Sequence, residues 1–169
     1  MIQEPSLVSV ISSSAEETIA LGEKLAAALP AGSIVALNGG LGAGKTTLVK
    51  GIARALGIEA EITSPTYTII SEYEGKIPLY HIDAYRLAGD EDFFSIGGTE
   101  LLSRGDGLAL IEWSERISRS LPSGSINVEI EILEGDTRRI FISGVEFEAL
   151  PQSSRGRREE TDVIGGSSR

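Results

Sequence analysis

Residues 39–46 read Gly39-Gly40-Leu41-Gly42-Ala43-Gly44-Lys45-Thr46, which fits the phosphate-binding pattern G-x-x-x-x-G-K-[S/T]. In such a loop the glycines let backbone N–H groups turn towards an anion. The lysine can reach the β- and γ-phosphates of a nucleotide, and the hydroxyl that follows it can ligate Mg²⁺. A glycine-rich turn can also fit the pattern by chance, so the flanking sequence decides between these two interpretations.

The sequence on both sides of this loop favours phosphate binding. Residues 33–38 form an apolar run typical of a buried strand, and residues 47–56 have the pattern of a helix that Gly57 closes. A strand, a glycine-rich loop and a helix in this order are the setting in which the pattern binds phosphate. The loop residues that we expect to bind a nucleotide are Gly39, Gly40, Leu41, Gly42, Ala43, Gly44, Lys45, Thr46 and Thr47.

Length and composition narrow the class of protein. The 169 residues suffice for one domain, which we expect over residues 1–150, and the Ser-, Gly-, Arg- and Glu-rich residues 151–169 predict a disordered tail. The lack of cysteine excludes disulfides and thiolate chemistry, and the net charge of -10 opposes RNA as a direct ligand. Without a basic leader or a bilayer-length apolar run, we expect a cytoplasmic protein.

The remaining patterns predict a small mixed sheet. The expected strands are residues 7–11, 67–73, 77–83, 108–111, 127–132 and 139–142. The unbroken apolar run 108–111 is typical of a central parallel strand, whereas the period of two in 127–132 predicts an antiparallel hairpin at a sheet edge. Ser14 and Glu17 have capping-box spacing at a helix start. The predicted fold is an α/β, P-loop NTPase-like mixed sheet with a parallel centre, antiparallel margins and helices on both faces.

Two acids at predicted strand ends can complete a site for a magnesium nucleotide. Glu112 follows the apolar run 108–111, which is the Walker B arrangement with Glu in place of Asp, and Asp83 ends the strand before it. Ligands of such sheets bind at the carboxyl ends of the strands, and Mg²⁺ prefers oxygen ligands. Each acid can also be an ordinary polar residue at a strand exit. We predict Thr46, Asp83 and Glu112 as metal ligands, and Lys45, Asp83 and Glu112 as catalytic residues.

Other polar and aromatic residues have less certain roles. The hydroxyls of Thr63, Ser64 and Thr66 lie on a loop where they can report a γ-phosphate or form a turn around a proline. Trp113 follows Glu112, so strand alternation directs it to the opposite side and favours a core or interface role. His81 is the only histidine, and a buried, hydrogen-bonded structural role is favoured for it.

Four motifs together resemble the TsaE family, formerly called YjeE. In family order they are Leu41-Gly42-Ala43-Gly44-Lys45-Thr46-Thr47, Ser64-Pro65-Thr66-Tyr67-Thr68, Tyr80-His81-Ile82-Asp83-Ala84-Tyr85-Arg86-Leu87 and Glu112-Trp113. The first motif is generic, but the other three are specific in combination, and the resemblance spans roughly residues 5–148. Gly40 is a departure, because family members commonly have an acidic residue there.

The resemblance implies an ATPase that bacteria need for the threonylcarbamoyladenosine modification of tRNA. It implies two partner proteins, TsaB and TsaD, of which TsaD carries the transferase site. By the same resemblance, ATP binding and hydrolysis reset the complex between rounds of modification. The protein then contacts tRNA only indirectly, through the complex. The implied cofactors are ATP and Mg²⁺.

The resemblance also implies roles for individual residues. Thr46 and Glu112 hold Mg²⁺, and Asp83 helps the metal or the attacking water. Ser64-Pro65-Thr66 form a switch-like loop in which Thr66 contributes to nucleotide binding. Further nucleotide contacts are implied beside Trp113 and, at the base end, near Ser13, Ser14 and Arg138.

Two other functions compete with an ATPase. A small-molecule phosphotransferase of the P-loop type needs an arginine-rich lid, whereas Arg86, Arg104, Arg116 and Arg119 are scattered in the sequence. A non-catalytic, nucleotide-dependent binding switch remains open, because weak hydrolysis leaves no distinct sequence pattern. A guanine-binding N-K-x-D sequence does not occur, which favours ATP over GTP.

Overall fold

A computed structural model describes residues 6–147 of the chain. The helices in this range are α1 (Ala15–Ala26), α2 (Lys45–Ala55), α3 (Asp90–Ser95) and α4 (Gly98–Leu102), with a 3₁₀ segment at Ser114–Ser120. The strands are β1 (Leu7–Ser12), β2 (Ile34–Gly39), β3 (Ile70–Tyr73), β4 (Leu79–Asp83), β5 (Leu108–Glu112), β6 (Ile126–Ile132) and β7 (Arg138–Ser143). None of these described helices combines the length and apolarity needed to cross a membrane. The predicted tail, residues 151–169, lies outside the described residues.

The described strands form one mixed sheet in the order β1-β7-β6-β2-β5-β4-β3. Strands β6, β2, β5 and β4 run parallel to one another. Antiparallel pairs flank them, with β1, β7 and β6 on one side and β4 and β3 on the other. The predicted α/β fold with a parallel centre and antiparallel margins is confirmed.

Strand β5 explains why its sequence is an unbroken apolar run. All five of its residues are buried. Leu108 and Leu110 point into a core that also contains residues of α1 and α2, whereas Ala109 and Ile111 point into a second core with residues of α3, α4 and the 3₁₀ segment. Helices therefore cover both faces of the sheet, as predicted, and neither face of β5 needs polar residues.

Helix α2, which carries Lys45 and Thr46, is held in place by a close crossing with α1. A Cβ atom on Gly51 would lie 2.1 Å from the carbonyl oxygen of Ile19, and one on Gly22 would lie 2.4 Å from that of Leu48. Only glycine therefore fits at either position of the crossing. The capping box is also confirmed, because Glu17 N donates to Ser14 Oγ at 3.1 Å.

The sheet differs from the sequence prediction in two places. Strand β3 begins at Ile70 rather than at residue 67, because residues 67–69 form a turn in which Ile69 has a φ of 67°. The β6–β7 hairpin is not at the edge, since β6 pairs with β2 and β7 pairs with β1. The edge prediction was wrong because a period of two shows only that one face of a strand is exposed, not which strands are its neighbours.

Candidate functional site

The phosphate-binding pattern forms a loop between the end of β2 and the start of α2. Gly42 and Gly44 have φ angles of 74° and 109°, in the left-handed region that favours glycine, and Gly44 is the N-cap of α2. A Cβ atom on Gly39 would lie 2.7 Å from the carbonyl oxygen of Ile130, so a close approach to β6 also requires glycine there. The loop thus ends at the amino terminus of an 11-residue helix, where backbone N–H groups attract anions.

A pocket of about 530 Å³ opens beside this loop. Its volume lies within the range of small-molecule sites. The residues that line it are Leu41, Gly42, Ala43, Gly44, Lys45, Thr46, Thr47, Ser64, Thr66, Asp83, Tyr85, Glu112 and Trp113. The structure thus brings together the three predicted catalytic residues, the three predicted metal ligands and most of the predicted nucleotide-binding residues.

The two acids are neighbours in the sheet. Asp83 and Glu112 are paired residues at the ends of the parallel strands β4 and β5, and each is only 3% exposed. Thr46 Oγ1, on the first turn of α2, lies 3.0 Å from both carboxylate oxygens of Glu112 and donates to them. This contact joins the phosphate-binding loop to the acid that follows the apolar strand.

The second acid holds the loop that contains residues 63–66. Asp83 Oδ2 accepts hydrogen bonds from Ser64 Oγ at 2.9 Å and from Thr66 Oγ1 at 3.3 Å. Its other oxygen, Oδ1, accepts from the backbone N–H of Tyr85 at 2.9 Å. The carboxylate therefore links the end of β4 to two of the three hydroxyls that the sequence suggested as reporters of a γ-phosphate. The third residue, Thr63, does not line the pocket.

Lys45 is the buried cation of the site. The residue is only 5% exposed. Its Nζ atom donates to the carbonyl oxygens of Gly39 at 2.5 Å and Gly40 at 3.1 Å. Burial lowers the pKa of Lys45 below its usual value of 10.5, and this effect is partly offset by the negative charges of Glu112, Glu115 and Asp83.

Two aromatic side chains form a wall of the pocket. Trp113 has φ 57° and ψ 40°, and Lys45 Nζ lies 4.0 Å from the centre of its ring. The rings of Trp113 and Tyr85 are 5.0 Å apart and tilted by 54°. The expectation that Trp113 points away from Glu112 was wrong, because β5 ends at Glu112 and the left-handed backbone at Trp113 turns the chain. Trp113 also packs against the second core, so it has part of the predicted core role.

Tyr85 is a pocket residue that the sequence analysis did not single out. It follows Asp83 by two residues, and this spacing is the sequence signal that could have found it. In the structure its backbone N–H donates to the carboxylate of Asp83. Its ring is 47% exposed and also lies 5.2 Å from the guanidinium carbon of Arg116. A search for aromatic residues just beyond the predicted strand ends would have found it.

Several predicted nucleotide contacts lie outside the pocket lining. Gly39 and Gly40 contribute carbonyl oxygens to Lys45 instead. Ser13 is exposed, and its N–H donates to Glu17 Oε2 at 2.6 Å. Arg138 donates from Nε to the carbonyl oxygen of Ala43 at 3.1 Å and from Nη2 to that of Gly42 at 3.3 Å. Arg138 therefore contacts the backbone of the loop from the start of β7.

The donor set suits a magnesium ion bound together with a phosphate chain. The hydrogen bond from Thr46 to Glu112 uses the hydroxyl proton and leaves the oxygen lone pairs of Thr46 available to a cation. Two buried carboxylates near one lysine leave excess negative charge, which a divalent cation would balance. Within residues 6–147 no group of three or more His, Cys, Asp or Glu side chains is placed to bind a metal. Mg²⁺ commonly uses one or two protein carboxylates and completes its shell with water and phosphate oxygens, so the residues fit.

The chain is similar to known proteins along most of its length. The family model described as threonylcarbamoyl adenosine biosynthesis protein TsaE matches residues 12–140. The tRNA threonylcarbamoyladenosine biosynthesis protein TsaE of Treponema pallidum (strain Nichols) is 44% identical over 133 residues, which are 79% of this chain and 98% of that protein. The protein of the same name from Bacillus subtilis (strain 168) is 40% identical over 131 residues, or 77% of this chain and 81% of that protein.

A solved structure has a similar fold. The crystal structure of Bacillus subtilis YdiB superposes with a TM-score of 0.69 at 34% sequence identity, covering 85% of this chain and 89% of that one. The matched family region, residues 12–140, contains the phosphate-binding loop, both acids and Trp113. The chain belongs to the TsaE family.

Proposed function

We propose that this TsaE-family protein is a magnesium-dependent ATPase that serves the biosynthesis of threonylcarbamoyladenosine in tRNA. The observation that carries the proposal is the contact between Thr46 and Glu112, with Asp83 beside them at the next strand end. Oxygen atoms of this kind, close to the amino terminus of a helix, support a site for a cation bound together with phosphates. The family membership supplies the pathway.

The proposed reaction is in-line attack of water on the γ-phosphorus of ATP, which breaks the bond to the β–γ bridging oxygen and releases ADP, inorganic phosphate and a proton. Lys45 donates to two carbonyl oxygens in the structure. In the proposed reaction its side chain contacts the β- and γ-phosphates and stabilises the charge that develops on them. A bound Mg²⁺ would neutralise charge on the phosphate oxygens. Thr46 and Glu112 would hold this cation, and Asp83 would help to orient the cation or the attacking water.

The proposed partners are proteins of the TsaB and TsaD type, as the family resemblance implies. Turnover by the isolated protein is expected to be weak and to rise in the complex. The net charge of -10 favours contact with tRNA only through the partners, since direct binding to a polyanion is opposed.

The positions of the arginines support hydrolysis over transfer to a small-molecule acceptor. Arg86 stacks over Tyr67, at 4.6 Å, and Arg104 lies over Tyr80, at 5.4 Å. Of the four arginines that are scattered in the sequence, Arg116 lies over the ring of a pocket residue, Tyr85, at 5.2 Å. A phosphotransferase lid needs several arginines that converge on the migrating phosphoryl group.

The test compares ATP turnover of the purified protein alone and with its TsaB and TsaD partners. Asp83→Ala and Glu112→Ala should lower turnover at least about 10- to 100-fold, as expected when groups that orient a metal are removed, while nucleotide binding persists in part. Glu129→Ala, at an exposed carboxylate on β6, is the matched control and should leave turnover unchanged.

Two results would contradict the proposal. Negligible turnover in both conditions would refute an ATPase and favour a nucleotide-dependent binding switch. Normal turnover in both acid variants would show that the hydrolytic site lies elsewhere.

A further inference from the structure

His81 is a fully buried group that the proposed reaction does not use. It is the only histidine of the chain and lies in the middle of β4, with an exposed fraction of 0%. Side chains alternate along a strand, so His81 is on the same face as Leu79 and Asp83, the face that packs against the core containing α2 residues. Its Nε2 atom lies 2.5 Å from Glu112 Oε2.

The second ring nitrogen, Nδ1, indicates which nitrogen of His81 carries the proton. Nδ1 is buried and has no hydrogen-bond partner among the described residues. A proton on Nδ1 would be a buried donor without a hydrogen-bond partner. An unprotonated Nδ1 in the same apolar surroundings costs less free energy. We therefore assign a ring proton to Nε2, so that Nε2–H donates to the Glu112 carboxylate.

The carboxylate of Glu112 thus has two donors, which come from different elements of the fold. Thr46 contacts it from the phosphate-binding helix and lines the pocket, whereas His81 contacts it from within the sheet and does not line the pocket. Glutamate has several rotatable bonds, so an unrestrained carboxylate samples many positions. The contact from His81 fixes one oxygen to a rigid central strand.

We propose that His81 is a positioning residue, which holds the Glu112 carboxylate in the orientation that serves Thr46 and the cation. The inference rests on the proposed function, since it assigns the second support of the same metal site. Partners that orient metal ligands in this way are worth about 10- to 100-fold in metal affinity or activity in other proteins. His81→Leu should therefore raise the Mg²⁺ concentration needed for tight nucleotide binding and for half-maximal turnover by about that factor.

Three variants separate positioning from a structural role. His81→Leu removes the donor and keeps an apolar side chain in the core, whereas His81→Gln offers an amide N–H at about the place of Nε2 and should recover most of the function. Tyr80→Phe is the matched control, because it removes a buried strand hydroxyl that bonds Asp106 on the opposite face. The readouts are Mg²⁺-dependent binding of a non-hydrolysable ATP analogue, ATP turnover, and thermal unfolding.

The expected pattern is a Mg²⁺ defect in His81→Leu, rescue in His81→Gln and no defect in Tyr80→Phe. Equal Mg²⁺ dependence in wild-type protein and His81→Leu would overturn the inference and leave the proposed ATPase intact. A wild-type protein that neither binds nor hydrolyses ATP would overturn the proposed function itself, so the two failures are distinct.

A spectroscopic test on the wild-type protein needs no variant that folds poorly. Because the chain has one histidine, ¹⁵N-labelled histidine gives one set of ring signals. We expect a protonated Nε2 and an unprotonated Nδ1, with the Nε2–H signal displaced in Glu112→Gln. A ring protonated on Nδ1 alone would mean that His81 does not donate to Glu112, and the inference would fall.

Discussion

The parallel centre of the sheet, β2, β5 and β4, differs sharply from the antiparallel margin formed by β6, β7 and β1. Every residue of β5 and β4 is buried, whereas buried and exposed residues alternate along β6. Asp83 and Glu112 end strands of the centre, and the phosphate-binding loop follows β2. From the margin, Arg138 donates hydrogen bonds to carbonyl oxygens of this loop, and β6 approaches Gly39. The comparison teaches that the chemistry lies where helices cover both faces and strand ends converge.

Burial makes the centre electrostatically different as well. Lys45, Asp83 and Glu112 are each no more than 5% exposed, so water screens their charges weakly. Arg138 and Arg139, at the start of β7, remain partly accessible and bond to carbonyl oxygens or to the exposed Glu131. Substitutions in the centre should therefore change binding strongly, and those in the margin should change it modestly.

The largest effect is expected for Lys45→Met in the centre. Nucleotide affinity should fall about 10- to 100-fold, which corresponds to the loss of one or more charged hydrogen bonds to phosphate. Burial disfavours the charged lysine and lowers its pKa, and Lys45→Met removes this penalty together with the two hydrogen bonds to carbonyl oxygens, so the pH dependence of unfolding reports the buried charge. Calorimetric titration with an ATP analogue and thermal unfolding measure the two quantities.

The pH dependence checks the same substitution. The penalty from charged Lys45 is complete below its lowered pKa and disappears as the pH rises past 10.5, where the unfolded lysine also loses its charge. The free energy of unfolding of wild type, relative to that of Lys45→Met, should therefore increase as the pH rises past the lowered pKa. A relative free energy that falls, or undiminished nucleotide affinity, would contradict the assignment.

Arg138→Ala tests the margin and should have a smaller effect. The substitution removes the hydrogen bonds to the carbonyl oxygens of Gly42 and Ala43, so nucleotide affinity should fall about 3- to 10-fold. Arg139→Ala is the matched control, since Arg139 bonds the side chain of Glu131 instead. Equal affinities for the two variants would show that the margin does not support the loop.

Two glycines sharpen the comparison within the loop. Gly44→Ala should lower stability by about 1–2 kcal/mol, because a φ of 109° is strained for any residue with a Cβ atom. Gly40→Ala should change stability by less than about 0.5 kcal/mol, since Gly40 has no left-handed φ and a Cβ atom there meets nothing within 4 Å. Urea unfolding of both variants measures the difference. Equal losses would show that the loop adopts another conformation.

The smallest effect is expected far from the loop, at Asp90→Asn. Hydrogen bonds from the Ser120 side chain hold the pKa of Asp90 below its usual value of 3.8, and the Ser120 backbone N–H adds to this effect. The charge therefore stabilises the fold above pH 3.8, and its contribution is lost as the pH falls through the lowered pKa. At this partly exposed site we expect a loss of about 0.5 kcal/mol or less at pH 7, which disappears in acid. Urea unfolding over a descending pH series would detect it, and a loss that persists in acid would contradict the charge effect.

Much of the parallel centre could be predicted because its signals are local. Residues 33–38, the glycine-rich loop and residues 47–56 gave the strand, loop and helix, and the run 108–111 ended at Glu112 as expected. The loop geometry does not require glycine at Gly40, so a residue with a side chain would fit there, and nothing in the structure explains this departure from the family pattern. The hairpin β6–β7 was predicted correctly as a unit, but not its place inside the sheet.

By itself the sequence determined the glycine-rich loop between a strand and a helix, the mixed α/β sheet and the two acids at strand ends, because periodicity and glycine spacing act over a few residues. Only the tertiary structure decided that Asp83 and Glu112 are neighbours, that His81 supports Glu112, and that Trp113 and Tyr85 face the same pocket. Strand order and the backbone turn at Trp113 fix these contacts between residues far apart in the chain. A pattern read along the sequence describes which face of a strand is buried, whereas a site depends on which strands lie side by side.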